Sequence, residues 1–176
     1  MTFPDQTEYQ NFYHTYISKV SLEENLEELL STQLTEVTQL FGPLTEKSWG
    51  YRYAEGKWSL KELVGHLVDA EHIMMYRALS IARGEDQALP GFDHNAYVEA
   101  AGFDQMKGAD LLNAFSTCRQ HTLALLPLIP HDEETRMGNS NGAPVSVRAL
   151  CWIVPSHVMH HLGVVRERYS SALDQK

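Results

Sequence analysis

A chain of 176 residues with 43% apolar side chains is long enough to bury one substantial core and short for two, so a single domain over residues 1–176 is expected. The formal charge of −9, from 23 acidic and 14 basic residues, leaves no basic stripe to track a phosphate backbone and argues against nucleic acid as a partner. The opening MTFPDQTEYQ has no basic and apolar leader, and no stretch reaches the roughly 20 apolar residues of a membrane span.

The expected setting is therefore cytoplasmic and away from the membrane. Cys118 and Cys151 show no CxxC or disulfide-framework spacing and are expected as buried, reduced thiols.

In chain order, Tyr9, Phe12, Tyr13, Tyr16 and Ile17 predict a short N-terminal helix. Ser21-Leu22-Glu23-Glu24 has the capping-box pattern, and Leu26, Leu29, Leu30, Leu34, Val37, Leu40 and Phe41 follow at helical steps. This predicts a first long helix stopping near Gly42-Pro43. Ser59 and Glu62 repeat the start signal for a second, the longest, running to Arg83 and Gly84. Pro90-Gly91 and polar turn formers then predict a long crossover with one short helix, over about residues 88–108. A third helix is predicted over Ala109 to Leu128, and a polar GNSNGAP loop leads to Ser146, the cap of a fourth running to about Tyr169. The predicted fold is all-α: a four-helix bundle with a long crossover between helices 2 and 3, plus the short N-terminal helix.

PSHVMHHLGVVRERY, residues 155–169, carries three histidines. At about 100° per residue, Val147, Leu150, Cys151, Val154, Val158 and Val165 form one apolar arc, and His161 falls inside it. His157 lies on the same face one turn away, so the pair can aim two imidazoles at one point. His160 points to the flank, roughly 100° from His161. Pro155, just before the pair, removes one helical hydrogen bond and either widens the bundle or is a tolerated defect. A third ligand has to come from another helix. His66, at the border of the second helix's apolar side, is the best placed, and His72 is rotated away from it. Gly65 costs about 1 kcal/mol of helix stability relative to alanine but permits close approach of a backbone or ligand.

EGKWSLKELVGHLVDAEHIMMYRALSIARGE, then LPGFDHNAY, then SVRALCWIVPSHVMHHLGVVRERY resembles the DinB/YfiT superfamily over about residues 22–170. The shared features are a Trp-Ser start leading to Gly-His-Leu, and His-x-x-His-His followed by a glycine, here His157, His160, His161 and Gly163. Many members carry Arg-Gly after the paired histidines, where this chain has Leu162-Gly163. The resemblance implies a divalent metal on His66, His157 and His161, zinc or nickel first, with iron or manganese also compatible with imidazole ligands. Three histidines leave coordination positions open, as catalytic centres do. The implied activity is a metal-dependent hydrolase or an S-transferase using a low-molecular-weight thiol, acting on a small-molecule substrate; the alternative is a non-enzymatic, stress-associated bundle that binds a ligand or partner. A homodimer is also expected.

The proton-transfer residue singled out is Glu62, one turn from His66, where it can orient the imidazole or act as a base, although its capping role explains it equally. Asp69 is read as a solvated residue or a partner behind the ligands, and Glu71 and Arg77 as surface or inter-helix ion-pair residues. Trp58 is read as a pocket wall or a core anchor, and Asp93, His94 and Asn95 as a substrate lid or a polar turn.

Overall fold

The structure, a computed structural model, describes residues 1–174. A short α1 (Asn11–Ile17) precedes α2 (Leu26–Phe41), and a single turn, α3 (Glu46–Trp49), leads to α4 (Leu60–Ala82). The crossover holds α5 (His94–Ala101); α6 (Gly108–Leu125), α7 (Val147–Arg168) and the terminal turn α8 (Ser170–Leu173) complete the helices. The long helices α2, α4, α6 and α7 are the predicted bundle.

Their starts follow from capping chemistry. Ser59 Oγ accepts from Glu62 N at 3.1 Å while Glu62 Oε2 accepts from Ser59 N at 2.8 Å, the reciprocal box expected for α4. Ser146 Oγ accepts from Ala149 N at 3.0 Å and starts α7 where predicted. The start of α2 differs from expectation. Asn25, not Ser21, is the cap, its Oδ1 accepting from Glu27 N and Glu28 N at 3.0 and 3.1 Å. Ser21 closes only a turn, and Leu22 beside it is 75% exposed, so the chain there has no apolar surface to bury as helix. The third helix ends at Leu125, three residues earlier than predicted, and Pro127 lies in a 3₁₀ turn over Leu126–Leu128.

The helix α4 packs against α6 and α7, and α2 packs against the same two, so α2 and α4 stand on opposite corners of the bundle. Each of the connections α2 to α4 and α6 to α7 therefore crosses a diagonal. The helices α4 and α7 run antiparallel, with the Tyr169 hydroxyl at the end of α7 donating to the Trp58 carbonyl before α4 at 2.7 Å. Pro155 does not interrupt α7, which is continuous from Val147 to Arg168.

Where the sequence predicts a polar loop, a hairpin joins α6 to α7: β1 (Met137–Ser140) pairs antiparallel with β2 (Ala143–Ser146). Asn141 and Gly142 at its turn have φ of 55° and 79°, the left-handed pair that a tight two-residue hairpin turn requires. Leu89 of the crossover adds to this hairpin, donating from its N–H to Asn139 O at 2.9 Å and accepting from Asn141 N at 3.0 Å. The crossover is thereby pinned over the far end of α4.

The apolar core divides in two. One half joins Leu26 and Leu30 to Met74, Ala78, Ile81 and the Val147–Val154 turns of α7; the other joins Val37 and Phe41 to Leu60, Leu63, Leu67, Phe115, Val158, Leu162 and Val165. Polar side chains lie between the halves. Arg119 of α6 donates through Nε and Nη2 to the Glu71 carboxylate of α4 at 2.8–3.1 Å, and through Nη1 to Leu30 O and Gln33 Oε1 of α2, both at 3.1 Å. Gln33 Nε2 in turn donates to Pro155 O of α7 at 2.8 Å, so one buried network touches all four long helices.

Candidate metal centre

His66, on the seventh position of α4, and His157 and His161, one turn apart on α7, meet across the antiparallel pair. His157 Nε2 lies 3.1 Å from His66 Nε2 and 3.0 Å from His161 Nε2. His66 is buried and the other two are half-buried. Loss of hydration disfavours the imidazolium form of all three, and neighbouring imidazoles add to the effect. Burial and then the nearby His94 push the His66 pKa down to about 4. Burial, followed by His66, His160 and His94, takes His161 to about 3, and His157 is held well below the usual imidazole value by burial and then His161. The rings are therefore neutral at neutral pH, with lone pairs available.

Three neutral imidazoles cannot satisfy this arrangement among themselves. His157 Nε2 faces two other Nε2 atoms, yet it carries either one N–H or one in-plane lone pair. A cation accepts a lone pair from each of the three. Donors about 2.0–2.1 Å from a tetrahedral zinc ion lie roughly 3.3 Å from one another, close to the spacing seen here. All-imidazole donors also suit nickel and iron. The residues present fit a divalent metal.

The histidines form one end of a cavity of about 370 Å³. Trp58 walls it, its ring centroid 4.8 Å from that of His66 and 6.5 Å from that of His161. His94 is the member of the crossover triplet that reaches the cavity, 5.8 Å from Trp58 and 5.9 Å from His66 between ring centroids. Asp93 instead caps α5, accepting from Asn95 N and Ala96 N. His160 lines the cavity beside the cluster, its ring edge-on to Tyr16 at 5.0 Å and to His161 at 5.1 Å. His72 is exposed.

Glu62 is occupied elsewhere. Its carboxylate accepts from the Ser59 N–H and pairs with Arg52, which also pairs with Asp104, and it is not among the residues lining the cavity. Gly65 is needed for an aromatic ring rather than for a backbone or ligand, since a Cβ there would meet the Phe103 ring at 2.5 Å. Asp69 is half-buried, and burial raises its pKa. Glu71 is the expected inter-helix ion-pair residue, with Arg119 as partner. Arg77 is neither on the surface nor ion-paired among the described residues; it is buried and lines the cavity at the end away from the histidines. The N-terminal helix supplies Tyr13 and Tyr16 to the same cavity. Its aromatic run was visible in the sequence, but its docking onto α7 is a tertiary event with no local signal. Cys118 and Cys151 are buried free thiols, both pushed up to about 12 by burial.

A family model described as the DinB superfamily matches residues 29–165. Among solved structures the chain is similar to YfiT from Bacillus subtilis, described as a probable metal-dependent hydrolase with an unusual four-helix bundle topology. The TM-score is 0.74 at 17% identity, over 98% of this chain and 94% of that one. It is also similar to the mycothiol-dependent maleylpyruvate isomerase, with a TM-score of 0.65 at 15% identity, over 82% of this chain and 60% of that one. At these identities the likeness is one of fold. No protein of curated function matches the sequence significantly. No helix among the described residues is long and apolar enough to cross a membrane.

Proposed function

The chain belongs to the DinB superfamily, and from that premise we propose that it is a metal-dependent hydrolase of a small molecule, its divalent ion held by His66, His157 and His161. The observation that carries this reading is the convergence of three neutral imidazoles, with His157 Nε2 at hydrogen-bond distance from Nε2 of both His66 and His161 and the ligand atoms of all three within 4.8 Å of one another, an arrangement that a cation satisfies and the rings alone do not. The fuller structural overlap with YfiT, described as a probable metal-dependent hydrolase, supports hydrolysis as the first reading. A thiol-dependent transfer is the second reading, supported by the overlap with the mycothiol-dependent isomerase.

A divalent ion at this position supplies Lewis-acid polarisation of a substrate carbonyl, or stabilises a thiolate. The protein supplies the rest. His66 is fixed by α4 and by the tilted Trp58 ring packed against it, and His157 by a T-shaped contact with the Tyr16 ring at 5.7 Å. The apolar wall from Ile153, Val154 and Val158 limits water at the histidine end. His94, exposed at the mouth, is an imidazole outside the three-nitrogen set and is positioned to pass a proton between the cavity and solvent.

Untagged protein is assayed for hydrolysis of ester and amide panels with and without an added low-molecular-weight thiol. The expected result is hydrolysis without thiol that falls at least about 100-fold in His66→Ala, the scale of a lost electrostatic stabiliser. Turnover only with thiol moves the assignment to the second reading. Activity unchanged in His66→Ala contradicts both.

A further inference from the structure

The cavity has a second end, and its chemistry is distinct from the histidine centre. From residue 66 to residue 77, eleven residues of α-helix advance roughly 16 Å and complete close to three turns, so His66 and Arg77 lie on one stripe of α4. Ala70 and Met74 lie between them on that stripe and form an apolar floor. Arg77 is 2% exposed. Its Nη2 donates to Pro90 O at 2.6 Å, its Nη1 approaches Met74 Sδ at 3.8 Å, its guanidinium lies 5.8 Å from the Phe92 ring centroid, and the Tyr13 hydroxyl meets it as a further hydrogen-bond partner. A carbonyl, a thioether, an aromatic face and a phenol are all neutral, and among the described residues no carboxylate pairs with Arg77. The acidic residue that does line the cavity, Glu71, is already held by Arg119. A buried cation without a counter-ion is costly, and an anion entering beside it recovers that cost.

We propose that Arg77 is an anion-binding subsite, taking the carboxylate of an elongated substrate whose apolar body lies over Ala70 and Met74 and whose reacting group lies at the histidines. A single guanidinium with five N–H donors in a planar fork matches one carboxylate in geometry and charge. A phosphate would call for further cations or backbone donors. The placement of the reacting group rests on the hydrolase reading above; the charge preference at Arg77 does not.

The test uses 4-phenylbutanoate and its amide, which differ in charge but little in shape, titrated calorimetrically into metal-loaded wild type, Arg77→Met and His66→Ala. Wild type is expected to prefer the acid by roughly tenfold or more, the scale of a charge-assisted hydrogen-bond pair. Arg77→Met is expected to abolish the preference. A preference retained in Arg77→Met, or equal affinity for acid and amide in wild type with absence of binding counted as equal, overturns the subsite. If Arg77→Met does not fold, arginine Nε–H resonances of wild type decide. The resonance that disappears in Arg77→Lys shifts with the acid and not with the amide, or else the subsite is overturned. His66→Ala separates the two claims: acid preference kept with metal lost supports both, and acid preference kept with metal retained removes the metal reading and leaves the subsite standing. Acid preference lost in His66→Ala places the carboxylate at the histidines and overturns the subsite.

Discussion

Arg119 and Arg77 are both withdrawn from solvent, at 0% and 2% exposure, and they meet opposite surroundings. Arg119 donates to both oxygens of Glu71, to Gln33 and to the Leu30 carbonyl, a closed set reaching three helices, with Pro155 of the fourth one hydrogen bond further on. Arg77 sees only neutral dipoles and faces an open cavity. A buried charge surrounded by its own partners holds the bundle together, whereas one left without an acid is arranged for something that arrives. The three histidines belong with Arg77 in this respect. Their ring nitrogens converge, and among the described residues no side chain outside the three is hydrogen-bonded to them.

The largest expected effect is on the closed side. Glu71→Ala leaves the Arg119 charge buried and unpaired, at a cost of about 3–5 kcal/mol in urea unfolding, and replacing both residues by methionine recovers most of it. A cost below about 1 kcal/mol for Glu71→Ala removes the network's structural role. At the histidine end, Gly65→Ala drives a methyl into the Phe103 ring, and overpacking of this kind costs about 1–3 kcal/mol. An unchanged unfolding midpoint there shows that Phe103 yields freely. The smallest effect is the sharpest contrast: Arg77→Met orphans no acid and frees only neutral partners, the carbonyl of exposed Pro90 and the half-buried Tyr13 hydroxyl, so stability changes by less than about 1 kcal/mol. A loss comparable to that of Glu71→Ala makes Arg77 structural and dissolves the comparison.

The histidine pair and the start of α4 were legible because their signals are local. An i, i+4 spacing on an apolar arc and a Ser-x-x-Glu cap are written within one helix. Ser21 and Asn25 offered competing caps for α2, and the choice between them depends on whether Leu22 finds a core, which no short window shows. The hairpin did carry a local signal, Asn141-Gly142, obscured by polar neighbours and short strands. Arg77 was the least legible residue of the site. Its sequence context is that of any helical arginine, and its significance lies in the missing acid, a property of the assembled bundle. Glu71 finds its partner 48 residues away, and the tyrosines of α1 reach the cavity only once that helix docks on α7.

Metal content of untagged protein, measured by mass spectrometry after purification and dialysis, tests the central claim most directly. One divalent ion per chain in wild type and in His160→Ala, with loss of the ion in His66→Ala, His157→Ala and His161→Ala, is the predicted result. Equal retention of metal in all four variants, or its loss in His160→Ala alone, contradicts the three-histidine centre.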